Sequence, residues 1–293
     1  MSKPSKKMMC AAVIARFQEI FRCPVCNGHM QMINLQSLIC SNRHCFDIAK
    51  QGYVNLLSLA KKTKYDKRMF EHRRMINRNG FFDPLNAAVS NKIINQLGNN
   101  EPTSILDAGC GEGSHLTEIQ EKLFRKTTNS LLAVGIDISK EGISSAAAEY
   151  SNAIWCVADI ANCPFANHRF DFILNILSPA NYSEFKRLIA DEGMVIKVIP
   201  ERDYLKELRD IFYEGSEKQV YSNEMTLDHF IEHFELTDVE NVRYQVNLGE
   251  SSIKPLLGMT PMSWGTTTER LRKIQEMKLQ QVTMDFKILI GKK

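Results

Sequence analysis

The stretch ILDAGCGEG, residues 105–113, decides the fold. It predicts an apolar strand that ends at Asp107, then a turn with alternating glycines, then a helix over 116–124. Glycine permits positive φ and a close approach of the backbone to a ligand. The G-x-G-x-G spacing differs from the G-x-G-x-x-G of dinucleotide sites and from phosphate-binding loops. We therefore expect a ligand to bind at Gly109, Gly111 and Gly113.

Alternating strands and helices follow this turn. Further strands are predicted at 131–137, 154–158, 170–176, 194–199, 236–248 and 281–290. Helices are predicted at 140–150, after 176 through 190, 204–213, 227–234 and 268–277. The succession favours an α/β fold with a Rossmann-like, mostly parallel sheet and helices on both faces. The last two strands fit an antiparallel addition at the sheet edge.

Acidic residues end three successive strands. Asp107 precedes the glycines, Asp137 ends AVGID, and Asp159 ends WCVAD. Ligands of open α/β sheets bind at the carboxyl ends of the strands, where an acid can accept hydrogen bonds from a ribose diol. We expect Asp137 to take that role and Asp159 to face an adenine ring.

A cluster of possible metal ligands lies near the N-terminus. Cys23 and Cys26 form C-P-V-C, and 13 residues separate them from Cys40, which His44 and Cys45 follow. Two such pairs can hold one zinc ion in a tetrahedron. Adjacent strand residues face opposite ways, so either His44 or Cys45 is expected to be the fourth ligand. A site closed by four protein ligands is structural rather than catalytic.

Charge is distributed unevenly along the chain. Residues 1–78 contain 15 Lys and Arg against 4 Asp and Glu, whereas residues 79–293 contain 22 against 30. A basic segment of this kind, here with KKTKYDKR at 61–68, favours a polyanionic partner such as RNA. No apolar run reaches the length of a bilayer span. The apolar stretch 8–15 is interrupted by Arg16 without a cleavage site, so we expect a short helix or a disordered extension and a cytoplasmic protein.

The motifs in combination resemble two families, one nested in the other. LDAGCGEG, GIDIS and VADI resemble class I methyltransferases, in which the glycine loop cradles the methionine part of S-adenosylmethionine and the second acid holds its ribose. The full series resembles the bacterial guanine-N1 methyltransferases of 23S ribosomal RNA, which include the tylosin-resistance type. That series is CPVC, CSNRHCFD, AKQGYVNLL at 49–57, HRR at 72–74, GFFDPL at 80–85, LDAGCGEG and MTPMSW at 259–264.

This resemblance implies a function and a ligand set. The family methylates N1 of a guanine in a hairpin loop of 23S rRNA, recognises the RNA through its zinc module, and often forms homodimers. Its three cysteines and one histidine match Cys23, Cys26, Cys40 and His44, which favours His44 over Cys45. The cofactors implied are S-adenosylmethionine and zinc.

Candidate substrate contacts lie after the fourth strand, in NILSPAN at 175–181. Guanine N1 carries a proton at neutral pH, so a base or polar acceptor is expected beside it. The candidate catalytic residues are Asn175, Ser178, Pro179 and Asn181. Alternatively, Asn175 and Asn181 have structural roles only, in a turn and as a helix cap.

Recognition of an RNA base calls for further groups. The target base must be unpaired or flipped out and stacked on an aromatic side chain. Phe81, Phe82 and Trp264 are candidates, although the two phenylalanines could instead anchor their helix to the sheet. The candidates for phosphate contact or stacking are Arg68, Arg73 and Arg74.

Four segments are predicted: an extension at 1–21, a zinc-binding RNA-recognition module at 22–60, a basic linker with helices at 61–98, and a methyltransferase domain at 99–293. Two other functions remain open. A methyltransferase of a small metabolite would not need the zinc module or the basic segment. A non-catalytic RNA-binding protein would not need the intact glycine loop and Asp137.

Overall fold

The computed structural model describes residues 4–59, 65–97, 102–127, 130–219, 221–249, 251–263, 272, 274 and 279–293. The helices are α1 (Lys6–Arg16), α2 (Lys67–Arg78), α3 (Asp83–Ile94), α4 (Ser114–Phe124), α5 (Lys140–Glu149), α6 (Tyr182–Leu188), α7 (Lys206–Phe212), α8 (Glu224–Ile231) and α9 (Ile253–Met259). The strands are β1 (Met30–Ile33), β2 (Ser37–Cys40), β3 (Cys45–Asp47), β4 (Tyr53–Asn55), β5 (Thr103–Ala108), β6 (Leu131–Asp137), β7 (Ile154–Val157), β8 (Phe170–Ile176), β9 (Ile189–Pro200), β10 (Glu235–Asn247) and β11 (Gln281–Lys292). In these ranges no helix combines the length and the apolar character that a bilayer span needs.

Eight strands form one large sheet in the order β10-β11-β9-β8-β5-β6-β7-β4. Neighbouring strands pair in parallel throughout the series β9-β8-β5-β6-β7-β4. Strand β11 is antiparallel to both β9 and β10. This confirms the predicted α/β fold with an antiparallel edge. The order reverses at β5, whose neighbours are β6 and β8, and such a switch point is where ligands of these sheets bind.

The boundary between a predicted helix and the strand after it differs in the structure. The helix predicted through residue 190 ends at Leu188, and β9 begins at Ile189 rather than at Met194. A register shift opposite Phe170–Phe172 lets β9 extend past Gly193. The predicted helix 268–277 lies outside the described residues except for positions 272 and 274.

Helices cover both faces of the large sheet. One buried cluster joins α2, α3, α4, α5, α7 and α9 to the sheet, through side chains such as Ile76, Leu85 and Leu116. The other joins α1, α6, α8 and the cysteine-rich segment to the opposite face, through side chains such as Ile14, Leu38 and Phe185. Both faces are apolar, as a sheet with helices on each side requires.

The cysteine-rich segment forms its own antiparallel sheet, in the order β1-β2-β3. Phe21 is fully buried against Phe165, with ring centroids 5.5 Å apart, and the Arg22 N–H donates to the Pro164 carbonyl at 2.9 Å. These contacts tie the small sheet to the loop after β7. Of the two predictions for the N-terminal extension, the structure contains the helix, α1.

Candidate functional site

A cavity of about 760 Å³ opens at the carboxyl ends of β5, β8 and β9. This volume lies in the range of sites for small molecules and cofactors. The side of the cavity nearest the glycine turn is lined by Arg73, Asp107, Gly109, Cys110, His115 and Ser178. The rest of its lining includes Pro179, Tyr182, Lys197, Tyr204, Tyr221, Met225 and His229.

The three glycines of the turn have positive φ: +87° at Gly109, +58° at Gly111 and +85° at Gly113. A Cβ at Gly109 would lie 1.9 Å from Ser178 Oγ, and one at Gly113 would lie 2.5 Å from the Trp155 ring. Both the backbone conformation and the lack of space require glycine here. The turn therefore lies against the loop that follows β8.

Asp107 carries an unsatisfied acceptor. Its side chain is 1% exposed, lines the cavity, and its Oδ1 has no hydrogen-bond partner among the described residues. Burial raises the pKa of Asp107 to about 8, with the neighbouring charges of Asp137 and Glu112 adding to the shift. A buried carboxyl without a partner is costly, and a donor group on a ligand would relieve that cost.

Asp137 holds the glycine turn. Its carboxylate accepts hydrogen bonds from the Gly111 N–H at 2.9 Å and from the Ser139 N–H at 2.8 Å. Burial raises the pKa of Asp137, and the backbone N–H groups oppose that shift. Asp159 is half-buried and accepts a hydrogen bond from the Ala161 N–H at 3.0 Å. The glycine cradle and the orphaned Asp107 oxygen fit the expected S-adenosylmethionine, whose amino group is a donor.

Asn175 and Lys197 fix the loop after β8. Asn175 Nδ2 donates to the carbonyl oxygens of Ala108 at 2.7 Å and Pro179 at 2.9 Å. Lys197 Nζ donates to Asn175 Oδ1 and to the Ser178 carbonyl, both at 2.5 Å. Burial lowers the pKa of Lys197 to about 8. All polar atoms of the Asn175 side chain are thus engaged within the protein, and it acts as the tie between β5 and this loop.

The other predicted contacts divide between cavity and scaffold. Ser178 and Pro179 line the cavity, whereas the Asn181 side chain accepts from the Glu184 N–H at 3.1 Å and caps α6. Phe82 also lines the cavity, with its ring 4.8 Å from that of His115. Phe81 lies in the core, which fits its alternative role as an anchor. Trp264 lies outside the described residues.

Four ligand atoms converge in the small sheet. The Sγ atoms of Cys23, Cys26 and Cys40 and a ring nitrogen of His44 all lie within 4.8 Å of one another. Cys26 Sγ is 3.6 Å from Cys40 Sγ, and His44 Nδ1 is 3.4 Å from Cys40 Sγ and 3.5 Å from Cys23 Sγ. A tetrahedral zinc ion, with Zn–S bonds of about 2.3 Å and Zn–N bonds of about 2.0–2.1 Å, separates its ligands by about 3.5–3.8 Å. The spacing fits zinc.

Local backbone structure sets this cluster and decides the fourth ligand. The Asn27 N–H donates to the Cys23 carbonyl, and the Arg43 N–H donates to the Cys40 carbonyl, both at 2.8 Å. Asn27 and Arg43 have positive φ, which closes the two tight turns that aim the ligands inward. Cys45 is exposed, and its Sγ lies 3.8 Å from Asp47 Oδ1. His44, not Cys45, completes the set.

Sequence reasoning missed several residues that line the cavity. Lys197 left a usable signal, because a lysine inside the apolar strand MVIKVIP at 194–200 is seldom buried unless it has partners. No sequence pattern marks Tyr182, Tyr221 or His229 as cavity residues. They come from α6, from the segment before α8 and from α8 itself, and only the folded sheet brings them to one cavity.

Substitution of Gly109 by alanine should displace the loop at Ser178 and weaken cofactor binding about 10- to 100-fold, since overpacking costs about 1–3 kcal/mol. Calorimetric titration with S-adenosylhomocysteine measures this change. Gly249→Ala is the matched control, because a Cβ there would meet nothing within 4 Å. Equal affinities for the two variants would mean that the close approach at Gly109 has no bearing on the cradle.

Comparisons with known proteins agree with both the cysteine-rich segment and the large sheet with its glycine turn. Residues 21–64 match the family described as RlmA, N-terminal, a zinc ribbon, and residues 99–241 match a methyltransferase domain family. A Bacillus subtilis (strain 168) protein, YxjB, is 41% identical over 94% of this chain and 97% of its own length. Its name gives 23S rRNA (guanine-N(1)-)-methyltransferase as an unproven assignment. The Streptomyces fradiae 23S rRNA (guanine(748)-N(1))-methyltransferase is 29% identical over 90% of this chain and 93% of its own length. The chain therefore belongs to the family of zinc-containing, S-adenosylmethionine-dependent 23S rRNA (guanine-N1)-methyltransferases.

Proposed function

We propose that this protein transfers the methyl group of S-adenosylmethionine to N1 of a guanine in a hairpin loop of 23S rRNA. The observation that carries the proposal is one cavity with two kinds of lining. The glycine turn and Asp107 line one part, and Ser178, Pro179 and aromatic side chains line the rest. A nucleoside cofactor and a second base can therefore be held side by side.

Methyl transfer of this kind is an in-line displacement, in which positioning supplies much of the acceleration. The cofactor supplies an electrophilic methyl carbon on a sulfonium. The protein holds the acceptor nitrogen in line with it, and we propose that Gly109, Gly111, Gly113, Asp107, Asp137 and Asp159 bind the cofactor. Ser178 and Pro179 then contact the guanine, while Asn175 and Asn181 hold their loop in place.

The proton on guanine N1 must leave as the nitrogen attacks. Ser178 lies at the junction of the glycine turn and the cavity, so its hydroxyl is the candidate acceptor in a hydrogen bond from the base. Lys197 stabilises this arrangement through the Ser178 carbonyl. Ser178, held by Lys197, thus orients the guanine and is not a strong general base. The N1 proton passes to solvent water as the bond from methyl to sulfur breaks and the bond from methyl to N1 forms.

The basic N-terminal segment, residues 1–78, is the proposed RNA-binding part. We propose that residues 22–60 recognise the RNA, that 61–98 link this module to the methyltransferase domain at 99–293, and that 1–21 form an extension. A homodimer and a cytoplasmic location, where ribosomal RNA is found, complete the proposal. Sedimentation of the zinc-loaded protein with and without RNA tests the dimer.

Reversal of Lys61, Lys62 and Lys64 to glutamate should weaken binding of the rRNA hairpin and flatten its salt dependence, because fewer counterions are released. Binding measured across a range of salt concentrations gives the slope. Lys122, Arg125 and Lys126 form the control for the same change of charge. They lie at the end of α4 about 15 Å from the glycine turn. Equal slopes for the two triple variants would remove the lysines from the interface.

The function is tested by incubating zinc-loaded protein with methyl-labelled S-adenosylmethionine and one of three acceptors. These are an unmodified 23S rRNA transcript, a 16S rRNA transcript and an extract of small metabolites. We expect label in the 23S transcript alone. Label in a metabolite and none in the 23S transcript would support the alternative of a small-molecule methyltransferase.

A further inference from the structure

Helix α2 divides its arginines between two environments. Arg74 Nη1 lies 3.5 Å and Arg78 Nη2 lies 2.5 Å from carboxylate oxygens of Glu149, so both arginines bind the end of α5. Arg73 faces another way. Its Nη1 lies 3.2 Å from the point that a Cβ at Gly111 would occupy, directly against the glycine turn. The sequence predicted Arg73 and Arg74, together with Arg68, as RNA contacts, whereas the structure separates Arg73 from Arg74.

The fold fixes the position of Arg73. The Asp66 side chain caps α2 by accepting from the Met69 N–H at 2.8 Å, and Met69, Phe70 and Ile76 bury one face of the helix. Phe70 lies beside Arg73 against Gly111, 3.6 Å from the same Cβ position. The guanidinium is thus carried by a well-anchored helix against the glycine turn, and Arg73 lines the cavity.

The Arg73 guanidinium has no ion pair and no hydrogen bond to the described part of the chain. It still acts on its surroundings. Burial raises the pKa of Glu112 and Asp137, and the Arg73 charge opposes that rise. Burial lowers the pKa of His115, and the Arg73 charge adds to that shift. A guanidinium offers five donors in a planar fork that suits a carboxylate. These donors face a ligand space rather than a protein partner.

The other basic groups of the described lining are engaged or neutral. His229 Nδ1 lies 3.5 Å from Glu232 Oε2. Lys197 donates to Asn175 and Ser178, and burial lowers the pKa of His115 to about 3, so that His115 is uncharged at neutral pH. The cofactor of the proposed function has one anionic group, the α-carboxylate of its methionine part. Asp107 is suited to its amino group, and a cation is needed beside it.

We propose that Arg73 binds the α-carboxylate of S-adenosylmethionine, and of the product S-adenosylhomocysteine, through a charge-assisted hydrogen-bonded pair. This inference rests on the proposed function, since it assigns a residue to that cofactor. It makes α2 part of the cofactor site, so that the basic segment contributes both to cofactor binding and to RNA binding. The competing assignment is a contact of Arg73 with an RNA phosphate, and the binding experiment distinguishes the two.

The test compares two ligands that differ in the amino-acid part. S-adenosylhomocysteine has the carboxylate, and 5′-methylthioadenosine has the same nucleoside and thioether without it. Calorimetric titration of the zinc-loaded protein should show that Arg73→Ala weakens S-adenosylhomocysteine binding about 10- to 100-fold, the range for lost charged hydrogen bonds. Binding of 5′-methylthioadenosine should stay the same. Arg73→Lys should recover part of the loss, because it keeps the charge but not the fork.

Arg78→Ala is the control on the same helix, and it should leave both affinities unchanged. An equal loss for both ligands in Arg73→Ala, or no loss for either, would overturn the inference. Unchanged S-adenosylhomocysteine binding together with weaker RNA binding would overturn it in favour of a phosphate contact. Failure of the unmodified protein to bind S-adenosylhomocysteine would instead contradict the proposed function.

Discussion

Replacement of Cys23 by serine is expected to release the zinc ion and to unfold the small sheet of β1, β2 and β3. Structural zinc contributes about 10–16 kcal/mol of apparent binding energy in small zinc domains, and this energy is coupled to their folding. The sheet has few buried side chains of its own to replace it. Metal content per chain should fall from about one to nearly zero, and amide hydrogen exchange over 22–50 should become fast.

Cys45→Ser is the matched control for this experiment. It makes the same chemical change one residue from a ligand, at an exposed thiol outside the cluster. Zinc and slow exchange should be retained. Loss of zinc from Cys45→Ser but not from Cys23→Ser would show that the ligand set has been wrongly assigned.

Replacement of Asp137 by alanine is expected to lower the affinity for S-adenosylhomocysteine about 100-fold or more. The change removes a carboxylate that we assign to the ribose diol and that also accepts a hydrogen bond from the Gly111 N–H. Hydrogen bonds to charged groups contribute about 1.5–3 kcal/mol each, and two or more are lost. Calorimetric titration measures the loss.

A deoxyribose analogue separates the two roles of Asp137. The unmodified protein should bind 3′-deoxyribose S-adenosylhomocysteine more weakly than the parent compound, whereas Asp137→Ala should bind both equally. Asp238→Ala on β10, where the side chain pairs with Lys92 at 2.9 Å, is the control and should change neither affinity. Unaltered binding in Asp137→Ala would remove this residue from the site.

The sequence predicted the parts of the fold that depend on local pattern. Strands β6 and β8 have the predicted bounds, because each is a short, mostly apolar run between turn residues. Strand β4 was missed, since its three residues, Tyr53–Asn55, are too short to show a period and gain their stability by pairing with β7. Helix α9 was missed as well. It contains Pro255, and its position depends on packing against α2, where Gly258 lies against the His72 ring.

The candidate site shows the same division. Zinc ligands and glycine-turn residues could be predicted because their chemistry requires fixed spacings within short segments. The direction in which Arg73 and Arg74 point could not, because neighbouring residues on a helix differ by about 100° in direction and only the packing of α2 decides which one meets the cavity. Likewise, the hydrogen bond from Lys197 to Asn175 joins two neighbouring strands through residues that are 22 positions apart in the sequence. Such contacts are set by the order of strands in the sheet.

Methylation of guanine N1 in 23S rRNA can be checked by identifying the atom that carries the new methyl group. Unmodified 23S rRNA is treated with the zinc-loaded protein and S-adenosylmethionine, digested, and analysed by mass spectrometry against N1-, N2- and N7-methylguanosine standards. We expect N1-methylguanosine in one fragment, from a hairpin loop. A methyl group on another atom, or none in rRNA while the protein binds the cofactor, would contradict it.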